Sequence, residues 1–263
     1  MLNADAHPPA VRLLQFTDTH LSGDPQARLR GVDTLATFRA CLEHAHREAL
    51  PAEAILVSGD IVHDDPRGYA AFELLLSRLD TPTLVVAGNH DDPGELHRQL
   101  GHAPFQTRGV FAAGNWRVLL LESWFAESTD GEGRLGEAAL ADLDRELHRH
   151  RDAHVLLCLH HPPMLIDAPD LDTLRLTDAA AFCGLVARHP QVRAVLWGHA
   201  HQALDVLRDG VRWMGTPSTC FQFRSRAPGF ASDARTPGYR VLDLAADGGL
   251  ATEVVWLPDG WQS

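Results

Sequence analysis

The sequence predicts an α/β fold, a four-layer αββα sandwich in which two mixed β-sheets pack face to face with helices outside. Three observations predict it. Short apolar runs without polar alternation, as expected of strands buried on both faces, alternate with helix-patterned stretches through the first two thirds of the chain. After His201 the helical pattern stops and only short strand candidates follow. Five of the apolar runs also end in a segment of His, Asp and Asn, which places one site at the strand C-terminal ends.

The elements follow in order. Val11–Phe16 reads as a strand, and Asp33 to Ala49 as a helix with Leu35, Phe38, Leu42, Ala45 and Ala49 at helical spacing. Ala54–Ser58 is a buried strand, Arg67–Leu79 a helix, Thr83–Ala87 a strand and Glu95–Gly101 a short helix. Val110–Ala113 and Trp116–Glu122 form two strands about a tight turn at Gly114-Asn115. Glu137–His150 is amphipathic, with Leu140, Leu143 and Leu147 on one side and His148 and His150 solvated near its end. His154–Leu159 is a strand, Thr177 is expected to cap a helix running to Arg188, and Val192–Trp197 is a strand. In the tail, Leu204–Leu207, Val211–Met214, Tyr239–Leu244 and Thr252–Leu257 are strands, with hairpin signals at Asp209-Gly210 and Asp247-Gly248. Arg224–Pro237, rich in Ser, Ala, Pro and Gly, reads as a surface loop.

Bulk properties bound the function. The 263 residues are 45% hydrophobic and carry a net charge of -12. That size and composition support one domain, 1–263, made of a core at 10–201 and a β-rich tail at 202–263 that completes the sandwich. The charge argues against a nucleic-acid partner, although bound cations would still let the site take an anion. Cys41, Cys158, Cys183 and Cys220 form no paired motif and are expected to be reduced, buried thiols. Met1-Leu2-Asn3-Ala4-Asp5 shows no signal peptide, and no apolar run reaches the roughly 20 residues of a membrane span. The expectation is a cytoplasmic protein with no membrane partner.

The five polar segments are Asp18-Thr19-His20, Gly59-Asp60, Gly88-Asn89-His90-Asp91, His160-His161-Pro162-Pro163 and Gly198-His199-Ala200-His201. Taken singly, each suits a turn or cap. Together, each at a strand end, they describe one metal site. Asp18 and His20, and again His199 and His201, stand at i, i+2, which in an extended chain directs both side chains the same way. Gly59 and Gly88 allow tight turns that bring the next side chain back over the sheet edge. Two Asp, one Asn and several His exceed one tetrahedral zinc and lack Cys, so two ions sharing a carboxylate fit better. Mixed N/O ligation suits Mn²⁺, Fe²⁺/Fe³⁺ and Zn²⁺ alike.

This series resembles the calcineurin-like metallophosphoesterase family, whose pattern is D-x-H, G-D, G-N-H-D/E, H-x-P and G-H-x-H. Within it the chain looks most like the class III cyclic-nucleotide phosphodiesterases, through Leu14–Leu21 and Thr216–Phe223. The resemblance implies that Asp18, His20 and His201 hold one metal, that Asn89, His160 and His199 hold a second, and that Asp60 bridges them. His160 rather than His161 matches the His-any-Pro pattern, leaving His161 as a supporting or wall residue. A metal-bridging hydroxide would then attack the phosphodiester of 3′,5′-cyclic AMP and release 5′-AMP. His90 would donate a proton to the leaving alkoxide or bind phosphate, with His20, Asn89 and His201 also facing the substrate. Many relatives are dimers, so a homodimer is possible under this resemblance.

Two departures point to small diesters. Ser/Thr phosphatases of the family carry Asp-Arg-Gly where this chain has His63-Asp64-Asp65, so the orienting Asp and the phosphate-binding Arg are not at their places. Lipid-precursor pyrophosphatases carry Arg in place of His90. His63 is read as a surface or rim residue, Phe221 and Phe223 as core in preference to purine-stacking, and Thr19 and Leu21 as pocket lining. Competing readings are a broader phosphodiesterase acting on glycerophosphodiesters or 2′,3′-cyclic nucleotides, and more remotely a non-catalytic protein-binding scaffold.

Overall fold

The structure, a computed structural model, describes residues 11–227 and 229–261; Met1–Asp5, on which the reading of the N-terminus rests, lies outside them. The elements run β1 (Val11–Phe16), α1 (Thr34–Glu48), β2 (Ala54–Ser58), α2 (Tyr69–Leu76), β3 (Thr83–Val86), α3 (Pro93–Leu100) and β4 (Phe105–Gln106). Then come β5 (Gly109–Ala113), β6 (Trp116–Leu120), α4 (Gly136–Arg149), β7 (His154–Cys158), α5 (Pro169–Thr173), α6 (Ala179–Val186) and β8 (Val192–Trp197). The tail holds β9 (Leu204–Arg208), β10 (Val211–Gly215), β11 (Gln222–Phe223), β12 (Ser232–Asp233), β13 (Gly238–Leu244) and β14 (Leu250–Trp256).

Two six-stranded sheets result, ordered β14-β13-β1-β2-β3-β4 and β5-β6-β7-β8-β10-β9. Each has a parallel centre, and antiparallel neighbours finish one edge of the first and both edges of the second. Period-2 alternation along buried strands fills three apolar layers. Leu13, Leu56, Leu84 and Leu242 of the first sheet meet Val118, Leu156, Leu196 and Met214 of the second. The other faces of β1 and β2 carry Leu14, Ile55 and Val57 against Phe38 of α1, Phe72 of α2 and Leu96 of α3. Behind the second sheet, Leu157 and Val195 pack on Leu143 and Leu147 of α4 and Phe182 of α6. Helices on both outer faces are why the central strands read as unbroken apolar runs.

The tail divides between the sheets: β13 pairs antiparallel with β1, while β10 lies parallel to β8 and antiparallel to β9. Asp209 (φ 52°) and Gly210 (φ 79°) are both left-handed, as a two-residue hairpin turn between right-twisted strands requires. Asp33 caps α1 by accepting from the Ala36 N–H at 2.9 Å.

Three expectations need correction. Thr177 does not cap α6: its hydroxyl donates to Gly133 O at 2.9 Å, and the helix spans Ala179–Val186, short of Arg188. The Arg224–Pro237 segment is not wholly loop, because Ser232 and Asp233 pair with Phe223 and Gln222. Strands of two residues, like β4, carry no readable periodicity. Thr19 and Leu21 do not line a pocket. Both are fully buried, Thr19 donating to Ile61 O at 2.7 Å and Leu21 packing in the outer core of the first sheet.

Candidate metal centre

The parallel centres of both sheets bring their strand C-terminal ends to one edge, and the five polar segments meet there. Asp18 and His20 follow β1, Asp60 follows β2, Asn89 and His90 follow β3, His160 follows β7, and His199 and His201 follow β8. Five of these residues have positive φ: Asp18 at 54°, His20 at 45°, Asp60 at 50°, His199 at 62° and His201 at 47°. A non-glycine residue there costs about 1–2 kcal/mol, so five together mark strain held for a purpose. The Asp-x-His and His-x-His pairs are therefore not extended. His199 and His201 also do not point the same way, because each reaches a different cluster.

In the first cluster His201 Nε2 lies 3.2 Å from His20 Nε2 and 3.3 Å from Asp18 Oδ1. His201 Nδ1 donates to Phe221 O at 2.7 Å, so in the neutral ring Nε2 is a bare lone pair. In the second, Asn89 Oδ1 lies 2.9 Å from His199 Nδ1 and 3.1 Å from His160 Nε2. Those two nitrogens are 3.2 Å apart, and His160 Nδ1 donates to Ser58 O at 2.7 Å. Asp60 stands between the sets, Oδ2 at 3.7 Å from His20 Nε2 and Oδ1 at 3.4 Å from His160 Nε2. Wherever no ring proton lies in one of these contacts, two lone pairs face each other, and a cation among them would relieve the repulsion.

The electrostatics agree. Burial opposes ionisation of Asp60, but His160, His90 and His20 overcome it and hold its carboxyl well below the ordinary value. Asp18 is likewise pushed up by burial yet lowered overall by His201. Burial drives His20 and His161 well below the usual imidazole value and His199 down to about 3, with neighbouring imidazoles adding to it. His160 is the exception: burial opposes its charge, but Asp60, Asp18 and the Ser58 carbonyl raise it to about 9. Without metal, a proton on His160 supplies part of the positive charge the site requires. Ionised carboxylates and buried, convergent imidazoles, all neutral once His160 gives up its proton, fit two transition-metal ions, which Asp18, His20, Asp60 and His201, and Asp60, Asn89, His160 and His199, could hold.

Gly59, at φ 95°, makes the expected turn, whereas Gly88 acts by having no side chain, as does Gly198. Gly88 and Gly198 have ordinary φ, but a methyl on Gly88 would collide with the Asp60 carboxylate and one on Gly198 with Thr17 and Asp18.

The remaining candidates surround the clusters. His161 is buried and saturated, bonding Ser123 Oγ at 2.8 Å and Gly131 O at 3.1 Å. His63 is more than a rim residue, since its Nδ1 lies 3.2 Å from His20 Nδ1 and orients that ring. His90 donates its backbone N–H to Asp60 Oδ1 at 2.9 Å, and its ring Nδ1 lies 3.1 Å from Asp64. An orienting Asp is therefore present one residue later than the phosphatase spacing anticipates. A second residue the motif reading left without a role is Asp91, which accepts from the N–H groups of Gly88, Ile61 and Val62 and from the Tyr69 hydroxyl.

A cleft of about 360 Å³ opens over the clusters, bounded by His20, Asp60, Asn89, His90, His199 and His201 on its floor and by Arg30, Phe221 and Phe223 at one side. Phe221 and Phe223 therefore face the cleft, not only core. Sequence could not place Arg30 there, because it belongs to no motif.

The fold and this His/Asp cluster define the class. Residues 11–203 match the calcineurin-like phosphoesterase family, and the chain belongs to it. Calcineurin-like phosphoesterases are binuclear metal enzymes with His/Asp ligand clusters. The chain is 36% identical over 251 residues to the 3′,5′-cyclic adenosine monophosphate phosphodiesterase CpdA of Escherichia coli K12, covering 95% of this chain and 90% of that one. It is 34% identical over 253 residues to CpdA of Vibrio vulnificus, with 95% and 92% covered. It is 32% identical to the 3′,5′-cyclic-nucleotide phosphodiesterase alr5338 of Nostoc, with 94% and 93% covered. Among solved structures, a dimetal phosphatase from Danio rerio shares the fold at TM-score 0.70 and 14% identity, covering 95% of this chain and 100% of that one. TT1561 of Thermus thermophilus does so at TM-score 0.62 and 17% identity, covering 93% and 98%. No helix among the described residues is long and apolar enough to cross a membrane.

Proposed function

We propose that this chain, acting as one unit over 1–263, hydrolyses 3′,5′-cyclic AMP to 5′-AMP at a centre of two transition-metal ions. The observation that carries the reading is the pair of donor sets, {Asp18, His20, His201} and {Asn89, His160, His199}, facing opposite oxygens of Asp60. Alignment across 95% of this chain, at 34% and 36% identity, with relatives named as cyclic-AMP phosphodiesterases supports the substrate. When bound, the ions supply Lewis-acid charge for a phosphate anion and lower the pKa of the attacking water.

The protein's own groups do the rest. Asp60 and Asp18 carry only two charges against two divalent cations, so the site remains positive despite the chain's net -12. Asn89 brings an uncharged oxygen and preserves that surplus. His90 turns Nδ1 to Asp64, leaving Nε2 for the cleft. Burial works against its charge, but Asp60 and Asp64 raise its pKa above the ordinary value. A protonated His90 thus donates from Nε2 to the departing 3′-alkoxide while Asp64 stabilises the imidazolium. His63 locks the His20 ring so that Nε2 faces the centre.

The deciding measurement compares kcat/KM for cyclic AMP, cyclic GMP, 2′,3′-cyclic AMP and glycerophosphocholine as Mn²⁺ or Fe²⁺ is titrated into metal-free protein. Preference for cyclic AMP is expected. Preference for glycerophosphocholine would replace this reading with the broader phosphodiesterase, and failure to bind either metal would favour the scaffold.

A further inference from the structure

Beside the proposed metal centre lies a wall that hydrolysis at phosphorus does not use. It is built from Arg30, Phe221, Phe223 and Phe230, which come from two distant stretches of chain. Arg30 belongs to the loop between β1 and α1. Its φ is 51° and that of Gly31 is 83°, and reciprocal Leu29–Val32 backbone bonds of 3.0 and 2.9 Å close the turn. A non-glycine residue held left-handed in so tight a turn has its side chain aimed by the backbone. The guanidinium donates Nη1 to Phe230 O at 2.8 Å. Its carbon lies 5.5 Å from the Phe221 ring centre and 5.2 Å from that of Phe223. Phe230 continues the wall, its ring 5.6 Å from Phe223 and 40% exposed.

The wall is continuous with the centre. Phe223 packs 4.7 Å from the His201 ring, and Phe221 lies nearly parallel to His20 at 6.2 Å. Leu171 and Leu174 line the same cleft. A polar strip of metal-ligating type therefore passes directly into aromatic rings topped by a cation. Phe230 leaves ring surface in water that burial under a ligand would recover, and the planar guanidinium over Phe221 and Phe223 has edge donors beyond the one given to Phe230 O. The complementary ligand is a flat, electron-rich heteroaromatic ring with acceptor nitrogens on its edge, attached to a phosphate by one sugar.

We infer that this wall is a nucleobase subsite, in which a purine packs on the exposed ring of Phe230 and presents ring nitrogens to the free edge of the Arg30 guanidinium, which itself covers Phe221 and Phe223. The inference rests on the phosphodiester reading of the adjoining centre and adds the residues that distinguish a nucleotide from a base-free phosphate. Arg30 is then a specificity residue, and it also ties the β11–β12 hairpin to the β1–α1 loop.

The test is calorimetric binding of 5′-AMP and of ribose 5-phosphate to Mn²⁺-loaded protein, for wild type, Arg30→Ala and Phe230→Leu. Phe230→Leu leaves the carbonyl that accepts from Arg30 and removes only the ring, so it separates recognition from loop anchoring. Wild type is expected to hold 5′-AMP at least about tenfold more tightly than ribose 5-phosphate, and each variant to narrow that ratio several-fold, roughly the weight of one base–aromatic stack. Ribose 5-phosphate affinity should stay constant throughout. Equal wild-type affinities, a ratio unmoved in both variants, or parallel weakening of both ligands would each overturn the subsite. Because binding is read without turnover, failure of cyclic-AMP hydrolysis remains a separate result.

Discussion

At the scale of single residues, His90 and His160 carry opposite duties for a proton. Under the proposed mechanism His90 holds one for the reaction, with Asp64 behind it at 3.1 Å. Replacing His90 with Ala should leave both metals bound, by elemental analysis, while kcat falls by a factor on the order of a hundred to ten thousand. Parallel loss of metal would refute the donor role. Asp64→Asn removes a charge that raises the His90 pKa. A donor works only while protonated, so a lower pKa moves the alkaline limb of the kcat profile to lower pH. An unmoved limb would exclude this pair. Asp60 and Asp18 raise the His160 pKa to about 9, so metal-free protein is expected to carry a proton there at neutral pH. Metal binding must expel that proton, and calorimetry in buffers of different ionisation enthalpy should register the release; none at pH 7.5 would contradict it. The ligand types were legible in sequence because strand ends rarely collect His, Asp and Asn. Asp64 was not, because its partner His90 is 26 positions away and its offset from Asp60 departs from the phosphatase pattern.

At the scale of elements, the loops after β2 and β3 are one unit keyed by Asp91. Its two oxygens take four donors, three backbone N–H groups and the Tyr69 hydroxyl. An amide in its place has one acceptor oxygen. Asp91→Asn should therefore cost about 2–3 kcal/mol in a urea titration, the scale of buried donors left unpaired. An unchanged midpoint would show the keystone to be dispensable. These loops explain why Gly-Asp and Gly-Asn-His-Asp occur where they do: one strand end must fit under the other with no room for a Cβ. α1 was readable from its helical period, and the central strands from short unbroken apolar runs buried on both faces. β4, β11 and β12 were not, because two residues make no pattern and their pairing comes from distant chain, and the five residues of α5 are too few for a helical period.

At the scale of the molecule, the centre straddles the sandwich. Asp18, His20, Asp60 and Asn89 come from the first sheet and His160, His199 and His201 from the second. Bound metal should therefore fasten the sheets together. At free metal a hundredfold above Kd, the gain is about 2.7 kcal/mol for each ion, or roughly 5–10 °C in Tm per ion for a chain of this size. Chelation should reverse it and increase hydrogen exchange at the ends of β1, β2, β7 and β8; a Tm indifferent to chelator would argue against a shared centre. The αββα layering and the residues proposed as donors could be read from the sequence alone, because burial on two faces and polar strand ends are written locally in period and composition. Tertiary packing alone sets which of those residues share a cluster, that His199 and His201 part company, that Asp64 reaches His90, and that Arg30 roofs the aromatic wall. Those are distances between segments tens to hundreds of residues apart, set by how two twisted sheets pack rather than by any local pattern.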